Sequence, residues 1–517
     1  MIPHDKRPLA LIILDGWGFS SNTSGNAIAQ AHTPYYDEIC RQYPNTTLAA
    51  AGARVGLPAG AVGNAEVGHL NIGAGRVVQT DIARISDAIR SGTFSENETL
   101  RAAFGKARSR SAAVHFVGLL SDGGVHSSQD CLFALLRMAK KEGLSDVFIH
   151  GFLDGRDVQP RTADIYVEAL EIKMADIGIG RIATLCGRFF AMDGNHNWER
   201  TARAYTMLVH SEGERASDPR TTIRNSFLRG ISDEFIAPIV LEREPGVPVA
   251  RVKDGDLVVF FNHRPDTMRQ LVRSLAVSGG DSIMMAGRPN IDVVCLTEYD
   301  HSFGLPVAFE RSAEANVLAQ VFADHGRRGL RVTETGRVPH INYFLNGGSD
   351  LDLGNEDLQV LDSGSSASHE THPEMSSFKI ADSVIRGLRE NSGRFFVVNI
   401  PGAGIIAESG NLEKTIEAVQ FVDTCLGGIV EKIREANGIA VITSSHGNCE
   451  EIHDGRSPEP NSYSTANDVP FHIVDDAAYT KALREGGALE DVAPTILGIL
   501  GIEKPAEMTG SDLRIAK

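Results

Sequence analysis

Short polar clusters rich in Asp, Arg, His and Asn recur along this chain, each following a short apolar run. They include Asp15-Gly16, Ser121-Asp122-Gly123-Gly124, Asp154-Gly155-Arg156-Asp157, Gly187-Arg188, Asn262-His263-Arg264 and Ser444-Ser445-His446-Gly447-Asn448. A few clustered arginines can hold a small anion locally, because the planar guanidinium meets a carboxylate or phosphate through two parallel hydrogen bonds. A carboxylate such as Asp157 accepts from a hydroxyl. These clusters are therefore the candidate site residues.

The runs before them must position them. Leu9–Leu14, Val114–Leu120, Val147–Leu153, Ile182–Leu185, Leu257–Phe261, Ile291–Leu296, Phe395–Ile400 and Ile439–Thr443 are rich in Val, Ile and Phe. Near-continuous apolar runs of this length suit strands buried on both faces, as in parallel sheets. Helical patterns lie between them, over Asp130–Lys141, Thr162–Ala175 and Asn411–Asn437. The spacing of Val492, Ile496 and Leu500 marks Leu489–Leu500 as a core helix. Alternating strands and helices predict an α/β protein, and such sheets bind ligands beyond the carboxyl ends of their strands.

Composition narrows the function classes. With 517 residues, 42% of them hydrophobic, the chain can build large cores and should split into domains. A net charge of −17 argues against a nucleic-acid partner, which needs a basic face. The six cysteines are scattered without a CxxC pair, so reduced thiols and a cytoplasmic location are expected. The run Leu9–Leu14 is too short for a signal sequence, and no apolar stretch reaches the ~18–20 residues of a membrane helix. His4, His32, His150, His210 and His325 show no metal spacing. Gly73–Arg76 lacks the full glycine fingerprint of a nucleotide loop. A Cys449–His446 nucleophile pair lacks a third, orienting group.

Taken in order, the clusters resemble cofactor-independent phosphoglycerate mutases, of the alkaline phosphatase superfamily. The matching text runs through Leu14–Gly18 (LDGWG), Gly63–Arg76 (GNAEVGHLNIGAGR), Gly123–Ser127 (GGVHS), Phe152–Asp157 (FLDGRD), Ala191–Asp193 (AMD), Trp198–Arg200 (WER), Asn262–Asp266 (NHRPD), Pro373–Ser376 (PEMS), His446–Asn448 (HGN) and Met508–Gly510 (MTG). The resemblance implies a phosphatase-like, metal-site domain over residues 1–79 and 314–517. A transferase-like, substrate-binding domain is inserted over residues 83–310. In the family a serine takes the phosphoryl group from phosphoglycerate and returns it to the neighbouring hydroxyl, with two metal ions, usually manganese, clamping serine and phosphate. The resemblance also suggests a monomer.

Carried over residue by residue, the resemblance implies a changed catalytic centre. Ala65 stands at the nucleophile position, and a methyl group cannot attack phosphorus. Of six metal-ligand positions, Asp15 and His446 match. Gly404 stands for an aspartate, Glu408 for a histidine, Ser445 for an aspartate and Ser464 for a histidine. Removing such a nucleophile typically costs ~10⁶-fold in rate. The substrate positions fare better: His126, Arg156, Asp157, Arg188 and Arg264 match, and Arg337 stands for a lysine. Two arginines are replaced, by Gly194 and Thr267, with Arg269 nearby.

The expectation is a mutase-like protein without mutase activity, a binding or regulatory pseudoenzyme with a pocket for a small phosphorylated or carboxylated acid. The expected partners are that acid and a protein of unspecified kind, with no nucleic acid or membrane. No cofactor is expected beyond at most one divalent ion, manganese or zinc, at a residual site of Asp15, His446, Glu408 and Cys449. The alternative is an active mutase, or a related phosphate- or phosphonate-processing enzyme, with a rearranged metal centre.

Overall fold

The computed structural model describes the chain except residues 1–6, 195, 278–286, 311–312, 350–352, 364–370, 391–394, 454–459, 478–481 and 516–517. The chain divides into two compact units, Met1–Thr80 with Ser312–Lys517, and Asp81–Arg311. Each is built on its own sheet with helices on both faces, so the fold is α/β.

In the first unit, eight described strands lie in the order Glu356–Leu361, Gly329–Glu334, Phe395–Ile400, Leu9–Leu14, Ile439–Thr443, Val469–Val474, Asn45–Ala49 and Gly487–Ala488. Leu9–Leu14 pairs in parallel with Phe395–Ile400 on one side and Ile439–Thr443 on the other. Leu14 lies beside Ile400, and Ile13 beside both Asn399 and Thr443. This register brings the residues after three strands, Asp15, Pro401 and Ser444, to one edge. The central strands are fully buried, with separate apolar cores on the two sheet faces.

The second unit orders Asp292–Cys295, Leu257–Phe260, Val114–Leu120, Val147–Leu153, Arg181–Gly187, Ile239–Glu244 and Glu214–Ala216. The first five strands run parallel, and Ile239–Glu244 is antiparallel to Arg181–Gly187. The clusters at Ser121, Asp154, Arg188 and Asn262 therefore share one carboxyl edge. Among the helices, Leu412–Glu435 starts where the Asn411 side chain accepts from the Lys414 amide, an ordinary N-cap.

Candidate active site

The first centre grows from three strand ends and one helix. Helix Ala65–Ala74 begins at Asn64, whose side chain accepts from the Val67 amide at 2.9 Å. Nearly every residue of this helix is buried, and Gly68 is what lets it approach the loop after Ile439–Thr443. A Cβ there would lie 2.1 Å from the Ser445 carbonyl oxygen. The helix carries His69 inward, where its Nδ1 donates to the Ala65 carbonyl at 2.7 Å and its Nε2 lies 3.9 Å from Asp15 Oδ1.

Asp15 is fully buried at the middle of this cluster. Ser445 Oγ donates to Asp15 Oδ1 at 2.5 Å and lies 2.9 Å from His446 Nδ1. One hydroxyl hydrogen cannot serve both, so the imidazole Nδ1–H donates to the serine oxygen. Arg337 Nε lies 3.8 Å from Asp15 Oδ2, and its Nη2 lies 3.3 Å from Oε1 of the exposed Glu408. Neither Arg337 Nε nor Asp15 Oδ2 has a hydrogen-bond partner among the described residues.

Burial alone would push the Asp15 carboxyl up. Its neighbours His69, Arg337, His446 and His340 outweigh burial and hold it well below the usual range. The imidazoles are themselves pushed toward neutrality by burial: His446 to about 4, His340 well below its ordinary value, and His69 downward. At neutral pH the full positive charge beside Asp15 therefore belongs to Arg337.

The six positions do not fit a two-ion centre. Gly404 offers no donor and no space for one: a Cβ there would lie 2.7 Å from the Asp15 carbonyl oxygen. Glu408 turns to Arg337, while His446 gives its Nδ1–H to Ser445 and keeps Nε2 as its acceptor nitrogen. Ser464 is half-buried. Cys449 is fully buried, and burial pushes its thiol well up. Among the described residues, no three His, Cys, Asp or Glu side chains gather as a metal set.

The second centre lies in the other unit. Arg188, at the end of strand Arg181–Gly187, donates through Nη1 to Asp154 Oδ1 and Asp157 Oδ1, each at 2.7 Å. His126 Nδ1 donates to Asp157 Oδ2 at 2.7 Å. Arg188 Nη2 lies 3.1 Å from that same nitrogen, a packing contact because its hydrogen is already given to Asp157. Burial would raise the Asp157 carboxyl, but His126 and then Arg188 hold it well below the ordinary value. The His263 amide donates to the His126 carbonyl at 2.9 Å, which brings the Arg264 loop alongside, and Arg264 Nε pairs with Asp266 at 3.0 Å. Arg156 is exposed on the same loop as Asp157.

Asp154 belongs to this group; the sequence places it in a candidate cluster without a role of its own. It also accepts from the Arg156 and Asp157 amides and from Ser121 Oγ. Its signal was its place as the first polar residue after a fully apolar strand. Arg269 makes no compensating contact here, since its Nε donates to the Tyr299 carbonyl at 2.8 Å. Gly194 packs beside the Asp266 carbonyl, and Thr267 Oγ1 is buried without a partner among the described residues.

Residues 85–301 match the BPG-independent PGAM N-terminus family. A curated 2,3-bisphosphoglycerate-independent phosphoglycerate mutase from Moorella thermoacetica is 47% identical over 509 residues, covering 98% of both chains. The chain belongs to this mutase family. The enzyme of the same name from Desulforudis audaxviator is 43% identical over 507 residues, covering 98% of this chain and 99% of that one. A crystal structure of Leishmania mexicana phosphoglycerate mutase at low cobalt concentration superposes with a TM-score of 0.86 at 25% identity, covering 99% of this chain and 98% of that one.

These likenesses overturn the expectation of a pseudoenzyme. End-to-end identity of 47% to a named mutase favours the active alternative over a binding or regulatory protein. Family positions taken one at a time do not reveal that a serine hydroxyl and a guanidinium stand around Asp15.

Proposed function

We propose that this chain is an isomerase that interconverts 3-phosphoglycerate and 2-phosphoglycerate through a rearranged centre. The observation that carries the reading is the Arg188–Asp157–His126 group, a ready site for a hydroxy acid, in a chain 47% identical along its length to a named mutase. Arg188, Arg156 and Arg264 supply guanidinium forks for carboxylate and phosphate oxygens. Asp157 accepts from a substrate hydroxyl. Among the described residues, no helix is long and apolar enough to cross a membrane, and a cytoplasmic place is part of this reading.

With Ala65 at the family's nucleophile position, this reading gives the phosphoryl group to Ser445, the hydroxyl that donates to Asp15. A bond forms from Ser445 Oγ to phosphorus as the substrate's ester oxygen leaves. The serine proton passes to Asp15 Oδ1, which already accepts it at 2.5 Å, and then to the departing oxygen. The reverse sequence delivers the phosphoryl group to the neighbouring hydroxyl. An aspartate accepting the hydroxyl proton is the arrangement used in other phosphoryl transfers, where positioning and charge matter more than base strength.

The test is an assay of 3-phosphoglycerate conversion, with Ser445→Ala and Arg188→Ala variants purified identically to expose host contamination. Turnover in the natural chain should vanish in Ser445→Ala and fall sharply in Arg188→Ala. Equal rates in all three preparations would reject the proposal.

A further inference from the structure

We infer that Arg337 stands in for a divalent cation, so that the centre around Asp15 handles phosphate esters without a metal ion. The inference goes beyond the proposed reaction and rests on the disagreement between the donor set here and a two-ion centre. Two observations carry it. The first is space. Gly16 has φ +77°, and a Cβ on it would lie 2.6 Å from Gly404 Cα. A Cβ on Gly404 would in turn meet the Asp15 carbonyl oxygen at 2.7 Å. Two glycine backbones thus pack together where a carboxylate donor would have to stand.

The second is charge. One face of Asp15 is taken by the Ser445 hydroxyl and the other by Arg337, whose Nε and Asp15 Oδ2 are both buried without hydrogen-bond partners and face each other at 3.8 Å. A divalent ion approaching Oδ2 would meet a guanidinium already there, and among the described residues no three His, Cys, Asp or Glu side chains gather to hold it. Glu408 adds no donor there, because it pairs with Arg337 from solvent at 3.3 Å. A guanidinium suits the substituted role. It is permanently charged, and its planar donors match the equatorial oxygens of a transferring phosphoryl group. Among the described residues its ion pairs run through Nε and Nη2, which leaves Nη1 for such an oxygen.

The experiment uses the full chain, dialysed against manganese, cobalt or zinc and then against buffer, with metal content read by elemental analysis and melting read with and without EDTA. The expected result is substoichiometric metal and one melting temperature in all buffers. Stoichiometric metal that Asp15→Asn abolishes would overturn the inference. In the activity arm, turnover should survive EDTA, and Arg337→Gln should lower kcat by about 10³-fold or more, with Arg337→Lys recovering part of it. Turnover that appears only with added manganese would overturn the inference while supporting the proposed reaction. Absence of turnover under every condition would reject the proposed reaction, and metal content and melting would then decide the inference on their own.

Discussion

Replacing Arg188 by methionine tests whether the Arg188–Asp154–Asp157 group is held by charge. Arg188, Asp154 and Asp157 have side chains only 8%, 1% and 6% exposed, with both Nη1–carboxylate distances at 2.7 Å. At an effective dielectric of ~20 each contact has a gross attraction of ~6 kcal/mol, most of which offsets desolvation. Removing one partner leaves the other charges buried, and such losses cost about 3–5 kcal/mol. In a unit of this size each kcal/mol lowers Tm by ~2–4 °C, so a drop of ~6–20 °C is expected at pH 7.5. The pH dependence has a definite sign. In the natural chain Asp157 is held below its unfolded value, so its contribution is present above pH ~3.9 and is lost as pH falls through the folded value. Without the guanidinium, Asp157 keeps His126 as its partner but loses Arg188, so its carboxyl is held less far below the ordinary range and protonation relieves buried charge as pH falls toward ~4.5. The deficit should therefore shrink by about half between pH 7.5 and 4.5 in circular-dichroism melts. A deficit below ~2 °C at pH 7.5, or one unchanged at pH 4.5, would refute the argument.

Ser445→Ala leaves Asp15 Oδ1 without its short donor and should cost ~1–3 kcal/mol in urea unfolding, apart from its effect on turnover. Gly404→Asp should lower Tm through its clash with the Asp15 carbonyl and create no manganese affinity; tight binding by the variant would show that the loops reopen easily. A hydrogen-bonded chain runs from Thr184 Oγ1 to His150, from His150 to His115 and from His115 to Asp256, so His150→Leu should cost ~1–3 kcal/mol. Burial holds His150 far below its unfolded value of ~6.5, so natural-chain stability should fall as pH drops below ~6.5, and the variant's melting curve should be flatter there. Burial pushes the thiols of Cys131, Cys186, Cys295 and Cys425 up to about 12, so a disulfide reagent should find them inert until guanidinium unfolds the chain.

The strands legible in the sequence are those whose two faces are both covered. Val114–Leu120 and Val147–Leu153 have the predicted limits because nothing polar interrupts them. Gly329–Glu334 and Val469–Val474 were not read as strands, though both are fully buried. In the first, Arg331 is satisfied by the Ile341 carbonyl and Asn346, and Thr333 by Asn399, so tertiary partners conceal a buried strand behind polar residues. In the second, Pro470 discourages a strand reading, yet it lies in an antiparallel pair beside Thr47. That His126, Asp157, Arg188 and Arg264 lie on one edge is legible in the sequence, because parallel strand ends in one sheet share an edge. The direction of Arg337 is not, since only the folded loops decide whether a cation points at Asp15 or at solvent.

That difference explains why a count of changed positions misjudged the protein. Ala65, Gly404, Ser445 and Arg337 look like four separate departures when each is scored against its own position. In the fold, three of them adjoin Asp15: Gly404 packs against its backbone, Ser445 donates to one oxygen and Arg337 faces the other. A fully buried carboxylate left behind after its cations were lost would cost several kcal/mol and invite replacement by an apolar residue. Asp15 instead remains ionised in a fully buried site, with a hydroxyl on one side and a permanent positive charge on the other. Such a group holds paired charge inside the fold, and the departures around Asp15 are better understood together than as independent losses.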